Sequence, residues 1–278
     1  MVLTLLVGGG SFVAGLIGSL TGLGGGVVLI PMLTLGFGID IRYAIGASLV
    51  SVIATSSGAA AAYVREGYTN VRVGMLLEIA TSLGAIVGAM LAALVHPAWI
   101  AFVFGLVLLH ASYSSLRSHS PDAGAGADVP PNSLARRLRL DGTYPTPDGM
   151  VAYHVQSVPV GFGLMGVAGV LSGLLGIGSG VIKVLAMDRA MKLPFKVSTT
   201  TSNFMIGVTA AASAGIYFSR GYIDPGLSMP VMLGVLAGSL LGARLLAKAP
   251  VKQLRLLFAV VILALAVEMI YSSLTGRF

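Results

Sequence analysis

The stretch AGLIGSLTGLGGGVVLIPML, residues 14–33, has a counterpart 154 positions later in AGVLSGLLGIGSGVIKV, residues 168–184. Each is an apolar run that ends in a glycine cluster and resumes as a short apolar segment. The clusters are Gly22-Leu23-Gly24-Gly25-Gly26 and Gly176-Ile177-Gly178-Ser179-Gly180. The correspondence continues without a gap from residues 14–93 to residues 168–247. About a quarter of these pairs are identical, where composition alone predicts roughly a tenth. Ser48/Ser202, Thr55/Thr209, Tyr63/Tyr217, Tyr68/Tyr222, Gly84/Gly238 and Gly88/Gly242 are among them. A shared glycine and alanine bias does not produce matched tyrosines, serines and threonines, so the chain reads as two copies of one unit.

That unit belongs in lipid. Of 278 residues, 56% are hydrophobic and 10% charged, and the mean hydropathy is +0.93. Soluble domains carry about 25% charged residues. The 38 glycines suit closely packed and broken membrane helices. Cysteine is absent, which excludes disulfides, thiolate metal ligands and passage of sulfur through a protein thiol. The net charge of +7 comes from cations lying between apolar stretches. It therefore reads as orientation in a membrane rather than nucleic-acid binding. Residues 1–20 lack a basic start and a small-residue cleavage site before a soluble domain, so they read as structure and not as a leader.

A helix needs about 20 apolar residues to cross a bilayer. Residues 44–64, 73–95, 98–116, 155–174, 197–218 and 227–247 qualify, residues 254–274 form a seventh span interrupted by Glu268, and residues 3–20 an eighth. Residues 27–37 and 181–187 each follow a glycine cluster and are too short for an ordinary span. They read as half-helices. Residues 118–133 are rich in Pro, Gly, Ala and Asp and read as a linker. Beyond them, LRLDGTYPTPDGMVAYHV alternates polar and apolar residues around a Thr146-Pro147-Asp148-Gly149 turn, a hairpin signal.

Charge fixes the relative orientation of the two units. In the first, Arg65, Arg72, Arg117, Arg136, Arg137 and Arg139 fall in one set of alternate loops and only Arg42 in the other. In the second, Arg189, Lys192 and Lys196, then Lys248, Lys252 and Arg255, occupy the set that is poor in the first unit, opposite Arg220 and Arg277. The cation-rich side is expected to be cytoplasmic, and the two units are then inverted. The expected fold is an all-α polytopic membrane protein of two inverted repeats. Each repeat has three long transmembrane helices plus a glycine-broken two-segment hairpin, eight to ten membrane segments in all, with a small cytoplasmic β-hairpin between the halves. The first repeat is placed at 1–116, the linker at 117–152 and the second repeat at 153–278. An inner-membrane, multi-pass location follows.

The chemistry is sought where the repeat breaks its helices. Glycine lets backbone amides converge on a ligand, and free N–H groups at a helix start attract anions. Broken helices at matched positions of two repeats mark the midplane site of a transporter. Gly24, Gly25, Gly26, Gly178, Ser179 and Gly180 are therefore candidate anion ligands, with close helix packing as the competing role. No Gly-Lys-Ser/Thr follows either cluster, so a nucleotide loop is excluded. The next helices open with Ser48 and with Thr201-Ser202-Asn203, whose hydroxyls and amide are candidate neutral donors; helix capping is the alternative. Lys183 lies in an apolar segment, where a charge is costly and marks function. It could hold the anion's charge or pair structurally with Glu78 or Glu268. Arg42 and Lys196, at matched positions, read as interface anchors, and Arg244 as a snorkelling cation. His110 and His154 are candidates for proton coupling. No metal-ligand spacing, cofactor motif or nucleophile–base set stands out, so neither a metal, a cofactor nor an enzyme is expected.

These same residues carry a family resemblance. AGLIGSLTGLGGGVVLIPML, AGVLSGLLGIGSGVIKV, the Thr201-Ser202 step and the LDGTYPTPDG hairpin make the chain similar to the sulfite exporter TauE/SafE family of membrane permeases over nearly its whole length. The resemblance implies movement of small sulfur-containing anions: sulfite, sulfonates such as sulfoacetate, or related oxyanions. Ser179 stands where the family commonly has a third glycine, and Leu185 where it has a proline. The expected activity is secondary transport by alternating access, with a passive anion channel as the alternative. The expected partners are a small anion and the lipid bilayer, not nucleic acid. A coupling proton or ion and a homo-oligomer stay open.

Overall fold

A computed structural model describes residues 2–21, 26–65, 67–116, 134–146, 149–246 and 251–276. Gly24, Gly25, the 118–133 linker and the Pro147-Asp148 step lie outside them, as does the Arg244 side chain.

The chain is mostly helical. In the first half come α1 (Val2–Thr21), α2 (Gly26–Pro31), α3 (Ile41–Arg65), α4 (Val71–Leu94) and α5 (Pro97–Leu116). A short helix, α6 (Leu134–Arg137), and the strands β1 (Gly142–Thr146) and β2 (Gly149–Tyr153) follow. The second half holds α7 (Val158–Leu175), α8 (Gly180–Leu185), α9 (Phe195–Ser219), α10 (Pro225–Leu246) and α11 (Val251–Leu274). Each short helix runs on into one π-helical turn, Met32–Gly36 after α2 and Ala186–Ala190 after α8. The bounds of α2, α3 and the first π-turn, moved by 154, are those of α8, α9 and the second.

Val71–Leu94, Val158–Leu175 and Pro225–Gly242 are long and apolar enough to cross a membrane, and shorter apolar helical stretches accompany them. Large apolar side chains point outward along these helices, among them Met75, Ile79, Leu83, Leu233 and Leu240. A surface of this kind suits hydrocarbon rather than water.

The helices pair across the halves. α1 packs on α10, α4 on α7, α3 on α9 and α5 on α11. Small residues set the first two contacts. A Cβ added at Gly15 would overlap the carbonyl of Val235, and one at Gly169 the carbonyl of Thr81. Gly84 meets the carbonyl of Gly166, and Gly238 that of Phe12. In each pair of contacts both partners shift by 154, so the halves exchange equivalent surfaces. Direction follows from the order of contacts. Ser112 Oγ donates to the carbonyl of Ala259 at 2.8 Å and Ser273 Oγ to that of Ala98 at 2.7 Å, so α5 and α11 run antiparallel. Gly46, early in α3, lies against the carbonyl of Tyr222, just past the end of α9. Thr200, early in α9, donates to the carbonyl of Tyr68 at 3.1 Å, just past the end of α3. These helices are antiparallel too.

The contacts also sort the loops into two ends. At one end the hairpin docks on the start of α4. Asn70 caps that helix by accepting from the Val73 amide at 3.0 Å, and its Nδ2 donates to the Leu140 carbonyl and the Tyr153 hydroxyl, each at 2.8 Å. Arg72 donates to the Arg139 carbonyl, and the Gln156 amide to that of Met191. β1 and β2 pair antiparallel from Gly142↔Tyr153 to Thr146↔Gly149. Burial raises the Tyr153 phenol above its ordinary pKa, and the bond from Asn70 opposes this. At the other end, Arg42 donates to the carbonyls of Ala92 and Val95, closing the C-terminus of α4, and Arg220 to that of Met90.

Candidate functional site

The second glycine turn meets the first residue of α2 where α3 and α9 cross. Gly207 packs against Ser56 near the middle of both helices. Gly178 lies against Val52 and Ile206, each within one residue of the middle of its helix. Gly26, the first residue of α2, faces Ser48 and the carbonyl of Gly176. Residues 154 apart in sequence thus stand side by side at mid-depth.

The second turn is built from backbone that other residues resist. Gly176 and Gly178 have φ of 66° and 69°, left-handed values that favour glycine. Ser179 shares that region at φ 45°, an uncommon position for a serine. Its side chain is 3% exposed, and its Oγ has no hydrogen-bond partner among the described residues. The amides of Gly178 and Ser179 meet no backbone acceptor among the described residues either. Buried polar groups are nearly always hydrogen-bonded in a folded protein, so this hydroxyl and these amides are open to a partner beyond the described residues. A ligand oxygen would satisfy them.

The hydroxyls of the next helices are differently engaged. Ser48 Oγ donates to the Gly176 carbonyl at 2.9 Å, and Ser202 Oγ to the Gly180 carbonyl at 3.3 Å. Both brace the turn from behind. Thr201 Oγ accepts from the Asn70 amide at 3.0 Å and ties α9 to the start of α4. Asn203 is half-buried. A cavity of about 10 Å³ touches the turn, lined by Val27, Val107, Leu108, Ile177, Ser179 and Gly180. It has room for roughly one water.

One helical turn beyond Ser179 sits Lys183, with no exposed surface. Its Nζ donates to Thr209 Oγ at 2.6 Å, and Thr209 Oγ lies 2.7 Å from Glu78 Oε1. Ser82 also donates to Glu78 Oε1, at 2.8 Å. Lys183 thus reaches Glu78 through a threonine and not directly. Glu268 is held elsewhere, accepting from Ser272 at 3.3 Å. Glu78 entered the sequence reading only as a structural partner. Its signal is that of any carboxylate in an apolar span.

The remaining sequence candidates stand apart. Arg42 lies over the ring of Tyr222 at 5.8 Å, and Lys196 over that of Tyr68 at 3.9 Å, matched cation–π contacts at the two ends. His110 is exposed. His154 pairs with Asp141 at 3.2 Å at the base of the hairpin. Among the described residues no cluster of His, Asp or Glu could hold a metal ion.

A family model described as sulfite exporter TauE/SafE matches residues 7–269. The chain is 26% identical to the probable membrane transporter protein YunE of Bacillus subtilis over 269 residues, covering 94% of this chain and 95% of that one. It is 27% identical to YdhB of the same organism, also a probable membrane transporter protein, covering 84% and 86%. A probable membrane transporter protein of Xylella fastidiosa is 23% identical, covering 98% and 96%. No solved structure matches it.

Proposed function

Because the chain belongs to the sulfite exporter TauE/SafE family, we propose that it is a secondary transporter of a small sulfur-containing anion, moved by alternating access between two inverted repeats. Sulfite, a sulfonate such as sulfoacetate, or a related oxyanion fits the site. The observation that carries this reading is the second glycine turn. It is buried at mid-depth, its Ser179 hydroxyl has no partner and its Gly178 and Ser179 amides no backbone acceptor among the described residues, and the charge of Lys183 lies one turn away. Donors without acceptors beside a cation are what an oxyanion requires. Gly180 and Gly26, together with Gly24 and Gly25 of the first glycine cluster, would complete the cradle. Ser48, Thr201, Ser202 and Asn203 would line it, the serines turning from backbone carbonyls to the anion when the halves move.

The antiparallel pairing of α5 with α11 and of α3 with α9 supports inverted repeats, because helices related by an axis along the membrane normal would run parallel. With the cation-rich end in the cytoplasm, the hairpin of β1 and β2 lies there too, and the helices cross a cell inner membrane. Purified protein in liposomes tests the reading. Sulfite, thiosulfate and sulfoacetate should exchange by saturable counterflow, and Gly26→Val should abolish it, since an added side chain meets Ser48 and the Gly176 carbonyl. Flux that rises linearly with concentration, without counterflow, would establish a channel instead.

A further inference from the structure

The Lys183–Thr209–Glu78 chain breaks the repeat. Moving each residue to its counterpart replaces Lys183 by Leu29, Thr209 by Thr55 and Glu78 by Met232. The glycine contacts of Gly15 and Gly169 and of Gly84 and Gly238 are matched between the halves, whereas these charges are not. Both are buried, Lys183 fully and Glu78 to 8% exposure. Glu78 Oε2 is buried and has no hydrogen-bond partner among the described residues.

We infer that Glu78 is the coupling-proton carrier of the transport cycle and that it binds one proton together with the anion. This rests on the anion-transporter reading above. With Glu78 ionised, the charge of Lys183 is already balanced through Thr209, and an added anion would leave the buried site with net negative charge. In a low-dielectric interior that is costly. A proton taken from water onto Oε2 neutralises the carboxylate. Thr209 can then turn its hydroxyl to the Met205 carbonyl, 3.0 Å away, and the charge of Lys183 is left for the anion. Proton and anion therefore stabilise each other and move in the same direction.

The groups around Glu78 leave it this role. Its own helix carries Arg72 at the hairpin end. α7, packed against α4, has no titratable side chain. On α9, Lys196 is stacked on Tyr68, and Tyr217 donates to the Gly173 carbonyl at 3.1 Å. Beyond α8, the second π-turn holds Asp188 and Arg189.

Calorimetry with purified protein and sulfoacetate tests this, because both charges of that anion are constant above about pH 6. Titration in buffers of different ionisation enthalpy should show uptake of about one proton per anion, and affinity should rise about tenfold per pH unit lowered between about pH 8 and 6. Glu78→Gln should bind with the same affinity across that range, while Thr209→Ser, which keeps the bridging oxygen, should retain the wild-type slope. No proton uptake by the wild type, or an unchanged slope in Glu78→Gln, overturns the inference, and the wild-type measurement stands even where the variant fails to fold. Counterflow in liposomes separates the two readings. Sulfoacetate exchange without proton uptake overturns only the coupling. Neither binding nor counterflow of sulfoacetate, sulfite or thiosulfate overturns transport and coupling together.

Discussion

At the scale of single residues, the charge of Lys183 and the glycines at the interface make opposite demands. Lys183 is costly to bury and is expected to return that cost on binding. An ionic hydrogen bond is worth about 1.5–3 kcal/mol, so Lys183→Ala should weaken binding of a competent anion about 10- to 150-fold, and Lys183→Arg should keep part of it. Equilibrium binding by calorimetry checks this; unchanged affinity in an unstable protein would make the lysine structural. Gly169 and Gly15 are pure packing positions, each facing a backbone carbonyl of the opposite half. Alanine there forces two helices apart, at a cost of about 1–3 kcal/mol, so Gly169→Ala should lower the thermal unfolding midpoint in detergent without changing anion affinity. Lys183 stood out in the sequence as a charge in an apolar segment. Glu78 and Glu268 both stood as partners for it, and neither the choice of Glu78 nor the bridging Thr209 was legible, because Thr209 and Glu78 are 131 residues apart and no local pattern joins them. Nor did the sequence separate a glycine that holds a turn, such as Gly178, from one that lets helices touch, such as Gly84. Both are glycine in an apolar run, and only the neighbour across the interface tells them apart.

At the scale of elements, hydropathy alone placed the helices, because a span in lipid has to be long and apolar. All eight long stretches are helical, and the two short ones fall where the glycine clusters put them. The π-turns at Met32–Gly36 and Ala186–Ala190 were not legible, since an added residue in a helical turn leaves no trace in composition. The hairpin was legible from its turn residues, but its seat was not. Asn70 supplies that seat, serving α4, the hairpin and Thr201 at once. Asn70→Ala should lose the cap, worth about 1 kcal/mol, and free the hairpin. Hydrogen exchange should speed up across Gly142–Thr146 and Gly149–Tyr153 while the middle of α4 stays protected. Unchanged protection of the strands would mean that the Arg72 and Asp141 contacts hold them without Asn70.

At the scale of the whole molecule, the repeat and the charges make one joint demand. Equivalent surfaces exchanged between antiparallel helices require an axis across the helices, which in a bilayer lies in the membrane plane. The proposed inverted repeats rest on this packing as well as on the loop charges of the sequence. At one end of the molecule lie Arg72, Arg136, Arg137, Arg139, Lys192 and Lys196, and at the other Arg42 and Arg220, among the described residues. Under the bias toward cytoplasmic cations, the proposed orientation puts the cation-rich end, and the hairpin with it, inside the cell. The chain has no cysteine, so single introduced cysteines report position without background. Met150, 65% exposed on the hairpin, and His96, exposed between α4 and α5, sit at opposite ends. In intact cells a membrane-impermeant maleimide should label His96→Cys and spare Met150→Cys until the membrane is opened. The reverse pattern would turn the molecule over, making the cation-rich end external. Labelling of both sites in intact cells would place the two ends on one side, which antiparallel α5 and α11 cannot satisfy in a single bilayer crossing.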